Sequence, residues 1–217
     1  GGFIPWDDDM DIVMMRDQYE LLMDHFNEWR TTDRFKLVSY RDKSSIYQFA
    51  KIVDTTTAIY ENFVGKKAAT GVWVDIFPLE RFDKQAEGLL KQHRRVGLLR
   101  SFAVTDPSTG TNGFVKLVKR VVCPFVQNLD LFELAHRLDV IALRVNDSSH
   151  DSDCVIDVLG EGRSDKTYPV SLRMKFEDRE YYAPAGYEEF LTTEYGDWRT
   201  PPAENARPVH VMEAYRL

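Results

Sequence analysis

The sequence predicts an α/β fold, in which helices pack against a mixed β-sheet. Residues 72–79 are almost wholly apolar apart from one acid, which is typical of a strand buried inside a sheet. Residues 131–145 instead place apolar side chains at the three- and four-residue spacing of an amphipathic helix. Because both periodicities occur in one chain of 217 residues, we expect one substantial domain that contains both kinds of element.

The first half reads as helix and strands in alternation. Tyr19, Leu22, Met23 and Phe26 lie at helical spacing directly after an acidic segment. Two strand patterns follow, joined by a polar turn, and a small basic loop precedes the apolar strand. A helix is expected after the apolar strand. The predicted ranges are 36–40 and 46–54 for the two joined strands, 72–79 for the apolar strand and 84–103 for the helix. Together these elements predict a sheet core over residues 1–104.

The second half, residues 105–217, is predicted to be mostly helical. Residues 105–113 are rich in Asp, Pro, Ser, Thr and Gly, so a boundary or mobile loop is expected there. The amphipathic helix at 131–145 follows, and a second helix is expected at 186–195. Short apolar segments at 154–159 and 171–176 are the strand candidates in this half.

The composition limits the classes of function. A net charge of −7 argues against a general nucleic-acid binder, which would present a basic face. The two cysteines lack metal-ligand or redox spacing and are expected to be reduced. No run of 18 apolar residues is present, so no membrane-spanning helix is predicted. We expect a cytoplasmic protein, with the inner membrane face as one place of action.

The acidic segment near the start is the strongest chemical signal. Asp7, Asp8, Asp9 and Asp11 fall within five residues, and apolar residues follow at once. In an extended segment, alternation would place Asp7, Asp9 and Asp11 on one face and Asp8 on the other. Such closely spaced carboxylates suit Mg²⁺ or Mn²⁺, because these cations prefer oxygen ligands. The alternative is a solvated acidic loop before a helix.

Asp75 is the lone acid of the apolar strand. A carboxylate in such a strand needs a counter-charge or a metal, so a salt bridge with Arg or Lys is the alternative to metal binding. Asp9 and Asp11 on one strand, with Asp75 on a neighbour, form a pattern typical of metal-dependent phosphoryl and nucleotidyl transfer. The sequence therefore predicts that Asp9, Asp11 and Asp75 hold the metal and form the catalytic centre.

Several motifs resemble the LicD family of phosphotransferases. Residues 1–12 closely resemble its signature, with the sequence GGFIPWDDDMDI. Residues 49–54 (FAKIVD) and 73–79 (WVDIFPL) resemble its next two motifs, and residues 195–198 (YGDW) fit its C-terminal part. The motifs occur in the family's order and span nearly the whole chain.

The resemblance implies a fold and a reaction. The family belongs to the nucleotidyltransferase-fold superfamily, with DNA polymerase beta as a member and fukutin-type proteins as relatives. Its members transfer a phospho-alcohol, often phosphocholine, from a CDP-linked donor to a glycan such as a lipopolysaccharide or teichoic acid precursor. Mg²⁺ or Mn²⁺ would be the cofactor. The alternatives are a nucleotidyltransferase that attacks the α-phosphorus of a nucleoside triphosphate, and a non-catalytic glycan-binding protein.

The resemblance also suggests donor- and substrate-side residues, namely Gly2, Trp6, Asp7, Arg16, Lys51 and His210. Each has an alternative. Lys51 either contacts a phosphate or extends its ammonium to solvent. Arg16 either contacts donor phosphate or pairs with Asp7. Trp6 either stacks on a base or alcohol or belongs to the core, and His210 lies in a tail that is often basic in the family.

One difference from the family concerns the start of the chain. Members carry a Gly-rich turn just upstream of the signature, and such turns hold nucleotide phosphates through backbone N–H groups. This chain begins at Gly1–Gly2 without a Met. We therefore expect an N-terminally truncated domain that binds a CDP-alcohol weakly and turns it over little or not at all.

Overall fold

The computed structural model describes residues 2–4, 6, 9–61, 70–105, 113–157, 170–207 and 212–217. Its strands are β1 (Asp11–Met15), β2 (Phe35–Val38), β3 (Ala50–Asp54), β4 (Thr57–Glu61), β5 (Trp73–Arg81), β6 (Val155–Asp157), β7 (Ser171–Phe176), β8 (Arg179–Pro184) and β9 (Met212–Arg216). Its helices are α1 (Arg16–Trp29), α2 (Glu87–Val104), α3 (Gly113–Val126), α4 (Leu131–Ser148) and α5 (Tyr187–Tyr195). The predicted α/β class is confirmed.

The main sheet is mixed and is built around β5. Strand β1 runs parallel to β5 on one edge, and β3 runs antiparallel on the other, followed by β2. Strand β6 pairs with the last residues of β5. The apolar strand predicted from the sequence is thus the centre of the sheet, which explains why its residues are almost all hydrophobic.

Helix α1 covers one face of this sheet. Ile76 of β5 pairs in register with Ile12 of β1 and Ala50 of β3. Ile76 and Ala50 are buried against Tyr19 of α1. Since successive side chains of a strand point to opposite faces, the neighbouring row through Asp75 points away from α1. The helix therefore fixes which face of the sheet carries the acids.

The second half of the chain contains strands as well as helices. Helices α3, α4 and α5 lie there, but so do β6, the β7–β8 hairpin and β9, which pairs with β4. The expectation of a mostly helical C-terminal half is therefore not clearly met in the described residues. The reason is that β8 and β9 lack the apolar alternation that reveals a strand in sequence, because most of their described side chains are exposed. None of the described helices is long and apolar enough to cross a bilayer.

A buried ion-pair network joins the start of α1 to the end of β5 and to α4. The Nε of Arg16 donates to Glu80 at 2.9 and 3.1 Å, and its Nη2 also contacts Glu80. The same Nη2 lies 3.0 Å from Asp139, and Nη1 donates to Glu20 at 3.0 Å. Burial raises the pKa of Glu80, while the Arg16 guanidinium opposes that rise. The deeply buried carboxylates of Glu80 and Asp139 therefore share the Arg16 cation.

Asp139 also connects α4 to the turn after β2. The Tyr40 hydroxyl donates to Asp139 at 2.6 Å, and Arg41 lies 3.2 Å from the same carboxylate. Burial, together with the nearby Asp139 charge, raises the pKa of Tyr40 to about 12. Tyr40 thus stays protonated at neutral pH and acts as a hydrogen-bond donor that holds the turn against α4.

His93 of α2 predicts a pH dependence of stability. Its ring is buried, its Nε2 makes no hydrogen bond, and burial lowers its pKa while the Asp139 charge opposes the shift. The unfolded imidazole takes up a proton below about pH 6.5, whereas the folded one stays neutral, so folding stability falls as the pH drops below that value. We expect His93→Phe to remove this part of the acid sensitivity.

The measurement is the free energy of unfolding of wild type and variant between pH 5 and 8. The difference between the two proteins cancels the contributions of other titrating groups. His150→Gln, at an exposed histidine, serves as the control and should keep the wild-type slope. Parallel wild-type and His93→Phe curves would contradict the assignment.

Candidate active site

Asp11 and Asp75 lie opposite each other on neighbouring parallel strands. The register pairs Asp11 of β1 with Asp75 of β5, and Asp75 in turn with Lys51 of β3. The Asp75 N–H donates to the carbonyl of Met10 at 2.9 Å, which fixes β1 against β5 at this point. Paired positions in a ladder point to the same face. The three charged side chains therefore form one cross-strand row, Asp11–Asp75–Lys51, on the sheet face opposite α1.

Asp75 is the best-defined acid of the row. Its side chain is only 14% exposed, and Lys51 Nζ lies 3.0 Å from its Oδ1. Trp73 Nε1 donates to Oδ2 at 3.1 Å. Oδ1 is buried and receives no directed hydrogen bond, so the contact with Lys51 is an ion pair without hydrogen-bond geometry. Asp75 thus has the lysine partner that one interpretation requires and also lies beside Asp11, while metal binding stays a prediction.

The electrostatics of Asp75 depend on all its charged neighbours. Burial raises the pKa of this carboxyl, and the nearby charge of Asp9 adds to the rise. The Lys51 ammonium and the Trp73 indole act in the opposite direction. Asp9 is therefore within electrostatic reach of Asp75, as the i, i+2 spacing with Asp11 predicts.

Lys51 is enclosed by aromatic rings. Its side chain is 5% exposed, with Nζ 4.1 Å from the centre of the Trp73 ring and 4.4 Å from that of Tyr47. Phe49 contributes a third ring at 5.6 Å. The ammonium therefore does not extend to solvent, which removes one of the two interpretations of Lys51. Ring faces and the Asp75 carboxylate compensate for its burial.

Arg100 of α2 is a cation that the sequence analysis did not single out. Its Nη2 donates to the carbonyl of Ile46 at 3.0 Å, and its guanidinium lies 5.1 Å from the Tyr47 ring. Its Nε is buried without a hydrogen bond, and burial lowers its pKa. No carboxylate among the described residues forms a salt bridge with it. A lone charge within the apolar run VGLLRSFAV is the signal that would have revealed it.

Arg16 does not fit the prediction of a donor-phosphate contact. Its guanidinium is buried and is engaged by Glu80, Glu20 and Asp139. The alternative was a salt bridge with Asp7, which lies outside the described residues, and the partners that the structure describes are these three carboxylates. The reason is tertiary: Glu80 and Asp139 come from distant parts of the sequence and reach Arg16 only in the folded sheet.

The start of the chain contacts its C-terminal part. The N–H of Phe3 donates to Glu177 at 2.9 Å, and the same side chain leaves no room for a Cβ at Gly2. Trp6 is half-buried, with the Arg207 guanidinium 4.3 Å from its ring centre. Two other predicted site residues, Asp7 and His210, lie outside the described residues.

The carboxylates of the row can be compared with the ligands that a divalent cation requires. Among the described residues, no group of three or more His, Cys, Asp or Glu side chains is arranged as a complete metal site. Asp11 and Asp75 nevertheless supply hard oxygen atoms at paired positions, and the buried Oδ1 of Asp75 lacks a hydrogen bond. The chemistry of this pair fits Mg²⁺ or Mn²⁺, which keep water or substrate oxygens as further ligands.

Comparisons with known proteins bear on the same residues. Residues 1–101 match the family model described as LicD/FKTN/FKRP, nucleotidyltransferase domain. The chain is 29% identical over 240 aligned residues to the lipopolysaccharide cholinephosphotransferase LicD of Haemophilus influenzae, in an alignment that covers all of this chain and 83% of that protein. No solved structure matches the chain. The resemblance found in the motifs is therefore confirmed, and the residues that match the family model, 1–101, contain the whole Asp11–Asp75–Lys51 row.

Proposed function

We propose that this protein is a phosphotransferase that moves a phosphocholine-like group from a CDP-linked donor to a hydroxyl of a cell-surface glycan such as lipopolysaccharide. The pairing of Asp11 with Asp75 on parallel strands is the observation that carries the proposal, because it places two carboxylates side by side within the LicD-family domain. The Haemophilus relative is a lipopolysaccharide cholinephosphotransferase, which supports the choice of phosphocholine and lipopolysaccharide. A nucleotidyltransferase-like fold is part of the same proposal.

Asp11 and Asp75, with Asp9 nearby, would hold Mg²⁺ or Mn²⁺. The cation would supply charge neutralisation for the donor diphosphate. Side chains of the protein would make the remaining contacts with the donor phosphates. Lys51 and Arg100 flank the Tyr47 ring and supply two positive charges on the side of the row away from Asp11. We assign them to the phosphate oxygens of the donor, because neither charge is fully compensated by a carboxylate hydrogen bond.

The transfer itself is a displacement at phosphorus. The acceptor oxygen forms a bond to the phosphorus that bears the alcohol, and the bond from that phosphorus to the CMP oxygen breaks. The hydroxyl proton passes to Asp75 or Asp9.

A second candidate is a nucleotidyltransferase, which the description of the matched domain favours. That reaction would use the same acids but would attack the α-phosphorus of a nucleoside triphosphate and release pyrophosphate. The experiment is incubation with an acceptor glycan and CDP-choline, CDP-ribitol, CDP-glycerol or CTP, followed by phosphorus NMR. Release of CMP from CDP-choline would support the proposal. Release of pyrophosphate from CTP, without release of CMP from any CDP-linked donor, would favour the second candidate instead.

Arg100 gives a separate prediction about donor binding. We expect Arg100→Gln to raise the KM for the CDP-linked donor about tenfold or more, because a hydrogen bond from a charged group contributes about 1.5–3 kcal/mol. The value of kcat should change much less. Arg95→Gln, at an exposed position of the same helix, is the matched control. An unchanged KM in Arg100→Gln would remove this residue from the donor site.

A further inference from the structure

Helix α3 exposes a stripe of large apolar side chains. Phe114, Leu117, Val121 and Phe125 are 75%, 60%, 58% and 83% exposed. With about 100° of rotation per residue, these four positions fall on one side of the helix. The opposite side contains Cys123, which is fully buried. The helix thus packs by one face and presents a second hydrophobic face to solvent.

Helix α2 adds to this surface. It packs against α3, and its Leu98 and Leu99 are 61% and 37% exposed. Exposed apolar residues scattered singly are ordinary, but a stripe along one helix with two leucines on its neighbour marks an interaction surface. We call this surface, formed by Leu98, Leu99 and the four side chains of α3, the hairpin face.

The charge around the hairpin face is opposite to that of the protein. The stretch from Glu87 to Val126 contains seven Lys and Arg residues against two acids, in a chain with a net charge of −7. Helix α3 itself has three cations and no acid. On the helical wheel, Lys116 and Arg120 lie between the buried side and the apolar stripe, and both are exposed. The apolar stripe therefore has a basic border.

This combination identifies the kind of partner. An apolar stripe bordered by Lys and Arg is the pattern of a helix that lies in the interface of an anionic bilayer, with its apolar side chains among the acyl chains and its cations at the headgroups. A second copy of the chain fits less well, because a two-fold contact through the same face would bring like charges together.

We propose that the hairpin face docks this protein onto an anionic membrane surface, with α3 lying in the plane of the interface. Arg100 belongs to the same helix as Leu98 and Leu99, and its guanidinium contacts the Tyr47 ring beside Lys51. Docking would therefore hold Lys51 and Arg100, which we assign to the donor phosphates, close to the bilayer. Membrane binding and phosphotransfer are separate properties, so either one can fail without the other.

The test is cosedimentation of the chain with vesicles. Wild type should bind vesicles of phosphatidylcholine that contain phosphatidylglycerol, and bind vesicles of phosphatidylcholine alone much more weakly. Leu117→Glu and Arg120→Glu should each weaken binding about tenfold or more, through lost apolar insertion and reversed charge respectively. The matched controls, Leu21→Glu on α1 and Arg137→Glu on α4, change exposed residues of the same types and should bind as wild type does.

Two results would overturn the proposal. One is the absence of binding to anionic vesicles by the wild-type chain, which would assign the face to a protein partner. The other is a stable dimer in sedimentation velocity without lipid that Leu117→Glu dissociates, which would assign the face to a second copy. The melting temperatures of all four variants establish that each is folded, so a loss of binding cannot be attributed to unfolding.

Discussion

Arg16→Met should lower the free energy of unfolding by about 3–5 kcal/mol, because it leaves the buried carboxylates of Glu80 and Asp139 without their shared cation. In a domain of this size, the melting temperature would fall by about 6–20 °C. Adding Glu80→Gln to Arg16→Met should recover part of the loss, since a neutral amide needs no counter-charge. Thermal denaturation followed by circular dichroism measures all of these changes.

The matched control for this prediction is Arg137→Met. Arg137 pairs with Glu133 at 2.9 Å, but both side chains are more than half exposed. Exposed pairs of this kind contribute little to stability, so the melting temperature should hardly change. If Arg16→Met melted as close to wild type as Arg137→Met does, the buried network would not be the support that joins α1, β5 and α4.

In a full-length form of the protein, Asp11→Asn should reduce the rate of phosphotransfer about 10²–10³-fold while the fold stays intact. The substitution removes the negative charge of one carboxylate of the row and keeps the side-chain volume. Losing one group that stabilises transition-state charge typically costs that much. Asp11 is exposed on an edge strand, so stability should not fall with activity. The rate of CMP release under saturating donor measures the effect.

Asp24→Asn is the control for the loss of one acid. Asp24 is an exposed aspartate of α1, so this variant should keep the wild-type rate. Activity within about threefold of wild type in Asp11→Asn would mean that the chemistry does not occur at the Asp11–Asp75–Lys51 row.

The strands that carry Asp11 and Asp75 could be predicted because strand periodicity is a local property. The single acid in an apolar run identifies Asp75, while the place of Asp9 on the same face as Asp11 stays a prediction. The parallel pairing of β1 with β5 then brings Asp11 and Asp75 into register. The order of the strands, by contrast, follows from long-range contacts that no single segment encodes.

Other features of the fold could not be predicted from the residue pattern of a short segment. Helix α3 is rich in valine and contains Pro124, and both are unfavourable for helix formation in isolation. Its packing against α2 outweighs that preference. The partners of Arg16 lie 64 and 123 positions along the chain, so only the fold shows that this arginine belongs to a buried network rather than to the donor site.

The most direct test of the central claim is a crystal structure of the full-length protein with Mn²⁺ and CDP-choline, in which the anomalous signal locates the metal. We expect an anomalous peak between the carboxylates of Asp11 and Asp75, with the donor diphosphate directed towards Lys51 and Arg100. A bound nucleotide whose phosphates and metal lie away from the Asp11–Asp75–Lys51 row would contradict the proposed active site.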